Sequence, residues 1–134
     1  MPLRPLARDA LVTVSRSSTL AEVARLMDGR GVDVAVVVAR NRPVGLVTTH
    51  DIVVRGVARR FPADARIDSV MTDQVVTLPA DASRQDVADA LREHGVAHLV
   101  LMDGSQPAAV LTREDLVVEL AAELAGVSRT TDPA

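Results

Sequence analysis

The chain contains no cysteine, lysine, tryptophan or tyrosine, and Phe61 is its only aromatic residue. The lack of cysteine excludes disulfides, thiolate nucleophiles and cysteine-based zinc sites. The lack of lysine excludes Schiff-base chemistry and the phosphate-binding lysine of a P-loop. Because proteins that bind single-stranded nucleic acid stack the bases on aromatic side chains, a chain with one phenylalanine is poorly suited to that role.

Charge and hydropathy narrow the class further. The 15 basic residues are all arginine, and 18 acidic residues give a formal charge of −3, whereas proteins that bind duplexes carry a basic face. No apolar run approaches the roughly 18 residues of a membrane span. None behind Met1 has the pattern of a signal peptide. We therefore expect a cytoplasmic protein without nucleic-acid or membrane partners.

The sequence repeats itself at an offset of 64 residues, in one register and without a gap. The matches include turn-forming and capping residues as well as the abundant valines. The turn-forming and capping matches are Gly31 with Gly95, Pro43 with Pro107, Thr48 with Thr112, and Asp51 with Asp115. Coincidence in a valine-rich chain does not produce such a set, so we infer an internal duplication.

The start of a helix is marked in each half. Thr19-x-x-Glu22 and Ser83-x-x-Asp86 have the spacing of a capping box, in which a hydroxyl and a carboxylate satisfy amides of the first turn. An amphipathic stripe follows in the first half, with apolar residues at helical spacing from Leu20 onwards. These signals predict one helix per half after a short extended segment.

The rest of each half reads as two strands and a second helix. Gly31 and Gly95 occupy the position where a helix ends in a left-handed residue. A second helix is predicted to begin near Thr48 and Thr112. The apolar runs between these points predict strands at 32–38, 44–47, 96–102 and 108–111.

The predicted fold class is therefore α/β (α+β), with two β-α-β-β-α repeats packed sheet to sheet about a pseudo-twofold axis. Neither half alone is large enough to bury its apolar surface, so the halves are expected to share a core. We assign the repeats to residues 6–62 and 67–125, joined by a polar linker at about 59–66. We predict that residues 126–134 form a disordered tail.

The repeat resembles the CBS domain, a family named after cystathionine β-synthase, which occurs as a tandem pair. The resemblance covers about residues 6–125, nearly the whole chain. Two segments are similar to the family's Gly-hydrophobic-hydrophobic-Thr/Ser-x-x-Asp turn: Gly45-Leu46-Val47-Thr48-Thr49-His50-Asp51 and Ala109-Val110-Leu111-Thr112-Arg113-Glu114-Asp115. A third segment, Ser69-Val70-Met71-Thr72, is similar to the family's Val-Met-Thr segment.

The resemblance implies a stand-alone regulatory module, often a homodimer, that controls a protein the sequence does not identify. It implies two clefts that bind adenine nucleotides such as AMP, ADP or ATP. In each cleft the aspartate, Asp51 or Asp115, would hold the ribose hydroxyls, and the threonine, Thr48 or Thr112, would contact phosphate. No cofactor is required for such a role.

The chemistry of the residues is consistent with this expectation. A strand that leads into a helix presents backbone amides and the positive end of the helix dipole to an anion. A carboxylate accepts two hydrogen bonds and suits a ribose diol. Because aromatics are lacking, the adenine would lie between aliphatic side chains, and the place in the repeat favours Val12, Val32 and Val34 in one half and Val76, Val96 and His98 in the other.

The two turns are expected to differ. Gly45 would let a ligand approach the backbone closely, whereas Ala109 narrows the approach at the second turn. Arg113 and His98 flank the second turn and could meet a phosphate. The first turn is thus the stronger candidate for a standard site, and the second for a phosphate-rich ligand.

Three other functions compete with nucleotide sensing. Thr-x-x-Asp is also the spacing of a helix N-cap, so a ligand-free structural or dimerisation module explains the same residues. A histidine-based metal sensor is the second alternative, but Gly95 interrupts the helix between His94 and His98, and we predict no metal site. Enzyme activity is the third, and we expect none because no hydrolase, deaminase, Rossmann or P-loop motif is present.

Overall fold

The strands and first helices of the two halves recur at the offset of 64 residues. The computed structural model describes residues 11–126, so the predicted tail at 126–134 lies outside the described residues except for Gly126. The elements are β1 (Thr13–Ser15), α1 (Leu20–Arg30), β2 (Val34–Ala39) and β3 (Arg42–Thr48), then β4 (Thr77–Pro79), α2 (Arg84–His94), β5 (His98–Asp103), β6 (Gln106–Thr112) and α3 (Arg113–Leu124).

Each repeat forms a three-stranded mixed sheet. In the first sheet β1 runs parallel to β2 and β2 runs antiparallel to β3; β4, β5 and β6 repeat this order. The registers also match, since Val34 pairs with Thr48 and His98 pairs with Thr112. The strand register also shifts at the same place in both sheets, between Val37 and Val38 in the first and between Leu101 and Met102 in the second. The predicted mixed α and β fold of two repeats is confirmed.

The predicted helix boundaries are set by local hydrogen bonds. The Glu22 amide donates to Thr19 Oγ1 at 3.1 Å, and the Thr19 amide donates to Glu22 Oε1 at 2.8 Å. Ser83 forms the same reciprocal pair at the start of α2. Both helices end at glycines with a left-handed backbone, the conformation for which glycine carries no steric penalty.

The repeats share a core, as the size of each half required. One apolar cluster lies within each repeat, where the sheet is covered by its helices. A third cluster joins the two sheets and is built from Val34, Val36, Leu46, Val100 and Val110. The prediction of sheet-to-sheet packing is therefore confirmed.

The second helices of the two repeats differ in winding. In the first repeat the segment after the turn is a π-helix, Asp51–Gly56, followed by a 3₁₀ turn, Val57–Arg59, whereas α3 is a regular α-helix. The π-helix ends at Gly56, where a Cβ would lie 2.9 Å from Leu20 Cδ2. The backbone at residue 56 thus packs directly on α1. Short π segments are frequent at functional sites.

The linker between the repeats extends beyond the predicted residues 59–66 to residue 74, and part of it lies in the first core. Ile67 and Val70 are fully buried in the first repeat. Thr72 then pairs with the edge of β3, since Leu46 and Thr72 exchange backbone hydrogen bonds of 2.9 and 2.8 Å. The linker therefore extends the first sheet along the free edge of β3. Within residues 11–126, no helix has the length and apolar character needed to cross a bilayer.

Candidate functional site: a cleft between the repeats

A cleft of about 300 Å³ brings the first Thr-x-x-Asp turn against the second repeat. Its walls come from three parts of the chain: the end of β3 with the turn, the linker, and the segment that leads into β5. The lining residues are Leu46, Thr48 and Asp51, then Thr72 and Gln74, then Gly95, Val96, Ala97 and His98. The volume is at the lower end of small-molecule pockets, about 300–1,000 Å³.

Thr48 and Asp51 form a reciprocal cap at one side of this cleft. The Thr48 amide donates to Asp51 Oδ2 at 3.0 Å, and the Asp51 amide donates to Thr48 Oγ1 at 3.1 Å. Asp51 is 8% exposed and is the one buried charged residue among those whose side chains the structure describes. The capping interpretation of this motif is therefore confirmed.

The cap does not use all the hydrogen-bonding capacity of the two side chains. Only Oδ2 of Asp51 receives the Thr48 amide, and Oδ1 has Arg55 Nη1 at 3.9 Å, which is too long for a hydrogen bond. The Thr48 hydroxyl accepts a bond and keeps its own proton to donate. A carboxylate oxygen and a hydroxyl proton thus remain for a ligand in the cleft.

Three of the four backbone amides of the first turn are already engaged within the protein, which limits their use for binding an anion. Besides the Thr48 and Asp51 amides, the Thr49 amide donates to the Asp33 carbonyl at 3.0 Å. At the second turn the amides of Thr112, Arg113 and Asp115 are occupied in the same way. A phosphate at either turn would therefore have to be met mainly by side chains.

Arg55 supplies a cation at the edge of the cleft and is not among the residues predicted from the sequence. Its Nη1 lies 3.3 Å from Thr72 Oγ1, 3.5 Å from the Met71 carbonyl and 3.9 Å from Asp51 Oδ1. It is four residues after Asp51, the spacing of a helical ion pair. That spacing was the available signal in the sequence.

His98 and Val96 face the first turn across the cleft. His98 was grouped with the second turn, and it does pair with Thr112 in the sheet, but the cleft that it lines contains Thr48 and Asp51. Sequence register cannot reveal this, because the two repeats pack with one strand end against the turn of the other. Gln74, Thr72 and Ala97 on the same walls were also missed.

The other predicted valines lie elsewhere. Val12 and Val76 are buried in the cores of their own repeats, and Val34 is buried between the two sheets. Val32 lines a separate groove beside α1. Of the valines predicted to flank an adenine, Val96 is the one that lines the cleft. Val12, Val34 and Val76 are buried in the apolar clusters and so do not reach it.

A glycine is required at position 45 for a different structural reason from the one predicted. A Cβ at this position would collide with Met71 Sδ and would lie 3.1 Å from the Thr72 carbonyl. The backbone that approaches Gly45 closely is therefore that of the linker, and Gly45 is not among the residues lining the cleft. The expectation that Gly45 makes room for a ligand is corrected accordingly.

The second turn forms the same reciprocal cap as the first, and its Arg113 contacts the segment that forms one wall of the cleft. Thr112 and Asp115 exchange hydrogen bonds of 2.9 and 3.0 Å. Arg113 Nη2 donates to the Val96 carbonyl at 3.0 Å, and the Arg113 amide donates to the Ala97 carbonyl at 3.0 Å. Arg113, predicted as a ligand contact, thus anchors the segment 95–98 that forms one wall of the cleft.

Metal donors do not converge in the part of the chain that the structure describes. No group of three or more His, Asp or Glu side chains there is arranged to hold a metal ion. His94 ends α2 and His98 begins β5, with Gly95 in a left-handed conformation between them.

Comparison with known proteins agrees with the duplication and the paired turns. The sequence model of the CBS domain matches the chain twice, at residues 3–57 and 67–122. The chain belongs to the CBS domain family. Both matches include a complete copy of the Thr-x-x-Asp turn.

Relatives of this CBS pair occur alone and within longer proteins. The CBS domain-containing protein YhcV of Bacillus subtilis (strain 168) is 26% identical over 121 residues, which cover 90% of this chain and 86% of that one. Homoserine O-acetyltransferase of Methanosphaerula palustris is 31% identical over 115 residues, covering 82% of this chain but 23% of that protein. The CBS domain protein PAE2072 from Pyrobaculum aerophilum, solved in complex with AMP, is 28% identical and covers 91% of each chain with a TM-score of 0.71.

Proposed function

We propose that this CBS pair is a regulatory module that senses an adenine nucleotide in the cleft between its repeats. The observation that supports this most directly is the meeting, in one cleft, of the Thr48–Asp51 turn with His98 of the other repeat. The AMP complex of PAE2072, a relative that aligns over 91% of this chain, supports the choice of ligand. No catalytic step is part of the proposal.

The polar side chains divide between ribose and phosphate. Asp51 Oδ1 is the acceptor for a ribose hydroxyl, because Oδ2 is held by the Thr48 amide. The Thr48 hydroxyl donates to a phosphate oxygen, and His98 and the Arg55 guanidinium supply positive or hydrogen-bonding groups close by. This assignment uses only the capacity left over from the cap.

The adenine is placed against the aliphatic walls. Leu46 from the first repeat and Val96 and Ala97 from the second line the cleft. Apolar walls with a few polar groups are the usual composition of a small-molecule site. The amide of Gln74 can read the edge of a base, since it carries both a donor and an acceptor.

A ligand in this cleft would bridge the repeats and so bias their arrangement. Any molecule that binds only the folded pair stabilises it, by about 2.7 kcal/mol at a concentration one hundred times Kd. A change in the relative populations of two arrangements would then be read by the regulated protein.

A thermal unfolding series with AMP, ADP, ATP, NADH and S-adenosylmethionine tests the proposal. We expect the adenine nucleotides to raise the unfolding temperature in a saturable manner, and guanosine monophosphate to serve as the matched control for base recognition. Because the chain has no tryptophan or tyrosine, a fluorescent adenine nucleotide can be titrated without protein background. A folded protein with no response at millimolar ligand would reject the proposal.

A ligand-free structural module is the second candidate. The complete caps at both turns favour it, since they explain Thr48, Asp51, Thr112 and Asp115 without a ligand. The two candidates separate at Asp51→Asn, because an asparagine oxygen can still accept from the Thr48 amide while its NH₂ group cannot accept from ribose. A structural role predicts little change from this substitution in any small-molecule response.

A further inference from the structure

Three arginines surround an open depression at the hairpin end of the first sheet. The depression has a volume of about 850 Å³ and is lined by Arg16, Arg40 and Arg42 together with Ala39 and Val44. All three arginines are exposed. The volume lies in the upper part of the range of small-molecule sites, about 300–1,000 Å³. A basic depression of this size can hold a ligand that carries several negative charges.

The topology of the sheet brings the three arginines together. Because β1 runs parallel to β2, Arg16, which directly follows β1, lies beside the end of β2. Arg40 is in the turn that connects β2 to β3, and Arg42 pairs with Ala39 across the ladder. The arginines thus come from two separate parts of the chain, and the fold of the sheet gathers them at one end.

The guanidinium groups of this depression have no carboxylate partner among the residues that the structure describes. The ion pairs there are made by other arginines. Asp68 is the acidic residue whose backbone lies beside Arg16, since its amide donates to the Arg16 carbonyl at 3.4 Å. Its carboxylate is held instead by Arg66, through hydrogen bonds of 2.9 and 3.3 Å. The positive charge of the three arginines is therefore available to an anionic ligand.

The second repeat shows that the fold does not need these arginines. At the offset of 64 residues their counterparts are Ala80, Gly104 and Gln106, and the β5–β6 ladder keeps the same register. Arg40 and Gly104 both have a left-handed backbone, with φ of 53° and 62°. This conformation is natural for glycine and uncommon for other residues. Arginine at position 40 is thus strained where the second repeat has a glycine, and local strain of this kind is frequent at ligand sites.

The chemistry of the depression favours linked phosphate groups. The helix α1 begins four residues after Arg16, but the amides of Leu20 and Ala21 already donate to carbonyls of the linker at 3.0 Å. A ligand is therefore held by the guanidinium groups, each of which presents a planar fork that matches two phosphate oxygens. Three forks can engage more oxygens than one phosphate group carries, so two or more linked phosphates match them best.

We propose that Arg16, Arg40 and Arg42 form a second ligand site, which binds the phosphate chain of a small molecule with two or more linked phosphates. The remaining walls, Ala39 and Val44, are small aliphatic side chains that offer little surface for a base. The phosphate chain is therefore the part that is recognised, whether it is free or esterified.

This second site is separate from the cleft between the repeats. The strand β3 runs from Arg42 at the depression to Thr48 at the cleft, a distance of about 20 Å at roughly 3.3 Å per residue. AMP in the cleft would leave the three arginines open. The proposal does not depend on nucleotide binding in the cleft.

Calorimetric titration of sodium tripolyphosphate into the natural chain tests this site. We expect saturable binding of one equivalent that weakens as ionic strength rises, because exposed charges are screened by salt. Arg40→Gly/Arg42→Gln gives the first hairpin the residues of the second and should still fold. It should weaken binding at least about tenfold, through the loss of charge-assisted hydrogen bonds. Arg25→Gln/Arg92→Gln removes the same charge at exposed positions of α1 and α2, and this matched control should leave the affinity nearly unchanged.

ATP distinguishes the two sources of a phosphate chain, and it is titrated into Asp51→Asn so that the cleft does not contribute. Tighter binding of ATP than of tripolyphosphate, lost when Arg40→Gly/Arg42→Gln is added, would identify a nucleotide as the ligand. An affinity for ATP no higher than that for tripolyphosphate would identify the phosphate chain alone.

Two results would overturn the proposal. One is the absence of tripolyphosphate binding to the folded natural chain at millimolar concentration. The other is an equal affinity of the two double variants, which would show diffuse attraction to arginine or none. AMP binding is measured separately and should be the same in Arg40→Gly/Arg42→Gln as in the natural chain. Failure of this site and failure of the cleft can thus be told apart.

Discussion

Thr48 and Asp51 hydrogen-bond to each other in both directions, and the pair lies on the wall of a cleft whose opposite wall belongs to the other repeat. Capping and ligand binding are therefore not exclusive, because the cap uses one carboxylate oxygen and the acceptor side of one hydroxyl. Asp51 Oδ1 and the Thr48 proton remain. These two groups are the ones that the proposed function assigns to the ligand.

Arg113 should influence ligand binding without touching the ligand. Its guanidinium donates to the Val96 carbonyl, so Arg113→Ala loosens the wall formed by residues 95–98. Loss of a hydrogen bond worth about 0.5–1.5 kcal/mol predicts AMP affinity weakened by roughly threefold to tenfold, measured by titration. Arg92→Ala, which removes an exposed pair with Asp89, is the control and should leave affinity unchanged.

Gly45→Ala should destabilise the fold through the linker. The added methyl group meets Met71 Sδ and the Thr72 carbonyl, and overpacking of this kind costs about 1–3 kcal/mol. Denaturant unfolding measures the change in free energy. The matched substitution Ala109→Gly tests the same strand position in the second repeat, where a loss of about 0.5–1 kcal/mol is expected from backbone flexibility, in addition to the loss of a buried methyl group. An unchanged stability for Gly45→Ala would contradict the packing described here.

The acid side of the stability profile should depend on Glu22. Hydrogen bonds from the Thr19 backbone, and then from its side chain, lower the pKa of Glu22. A group with a depressed pKa in the folded state contributes stability that is present above its unfolded pKa and is lost as pH falls through its folded pKa. Glu22→Gln should therefore flatten the fall of the unfolding midpoint in acid. The substitution Glu93→Gln, at an exposed position near the end of α2, should leave the profile steep.

Local signals in the sequence were sufficient for the duplication and for the start of each first helix. Thr19, Ser83, Gly31 and Gly95 act through contacts within a few residues, so their patterns identify caps and left-handed turns reliably. The positions of the longer strands followed from the apolar runs between these points. The repeat offset then related the boundaries of the strands and first helices in one half to those in the other.

The composition of the cleft could not be predicted in the same way. Gln74 and Ala97 reach it because the linker and the second repeat fold against the first, and these are contacts between distant parts of the chain. Gly45 is an example, because a glycine is needed at this position whether a ligand or the linker approaches the backbone closely. The sequence alone does not distinguish these two reasons. The π-helix after Asp51 was likewise not visible in the apolar pattern, which is almost the same in α3.

Equilibrium titration of AMP into the natural chain, Asp51→Asn and Asp115→Asn tests the central claim most directly. We predict saturable binding to the natural chain, little change for Asp115→Asn, and affinity weakened roughly tenfold to a hundredfold for Asp51→Asn, which loses a bond to a charged acceptor of about 1.5–3 kcal/mol. Unfolding midpoints measured in parallel should show that all three are folded. Equal binding by Asp51→Asn and the natural chain, or no binding by any of them at millimolar AMP, would contradict the assignment of this cleft.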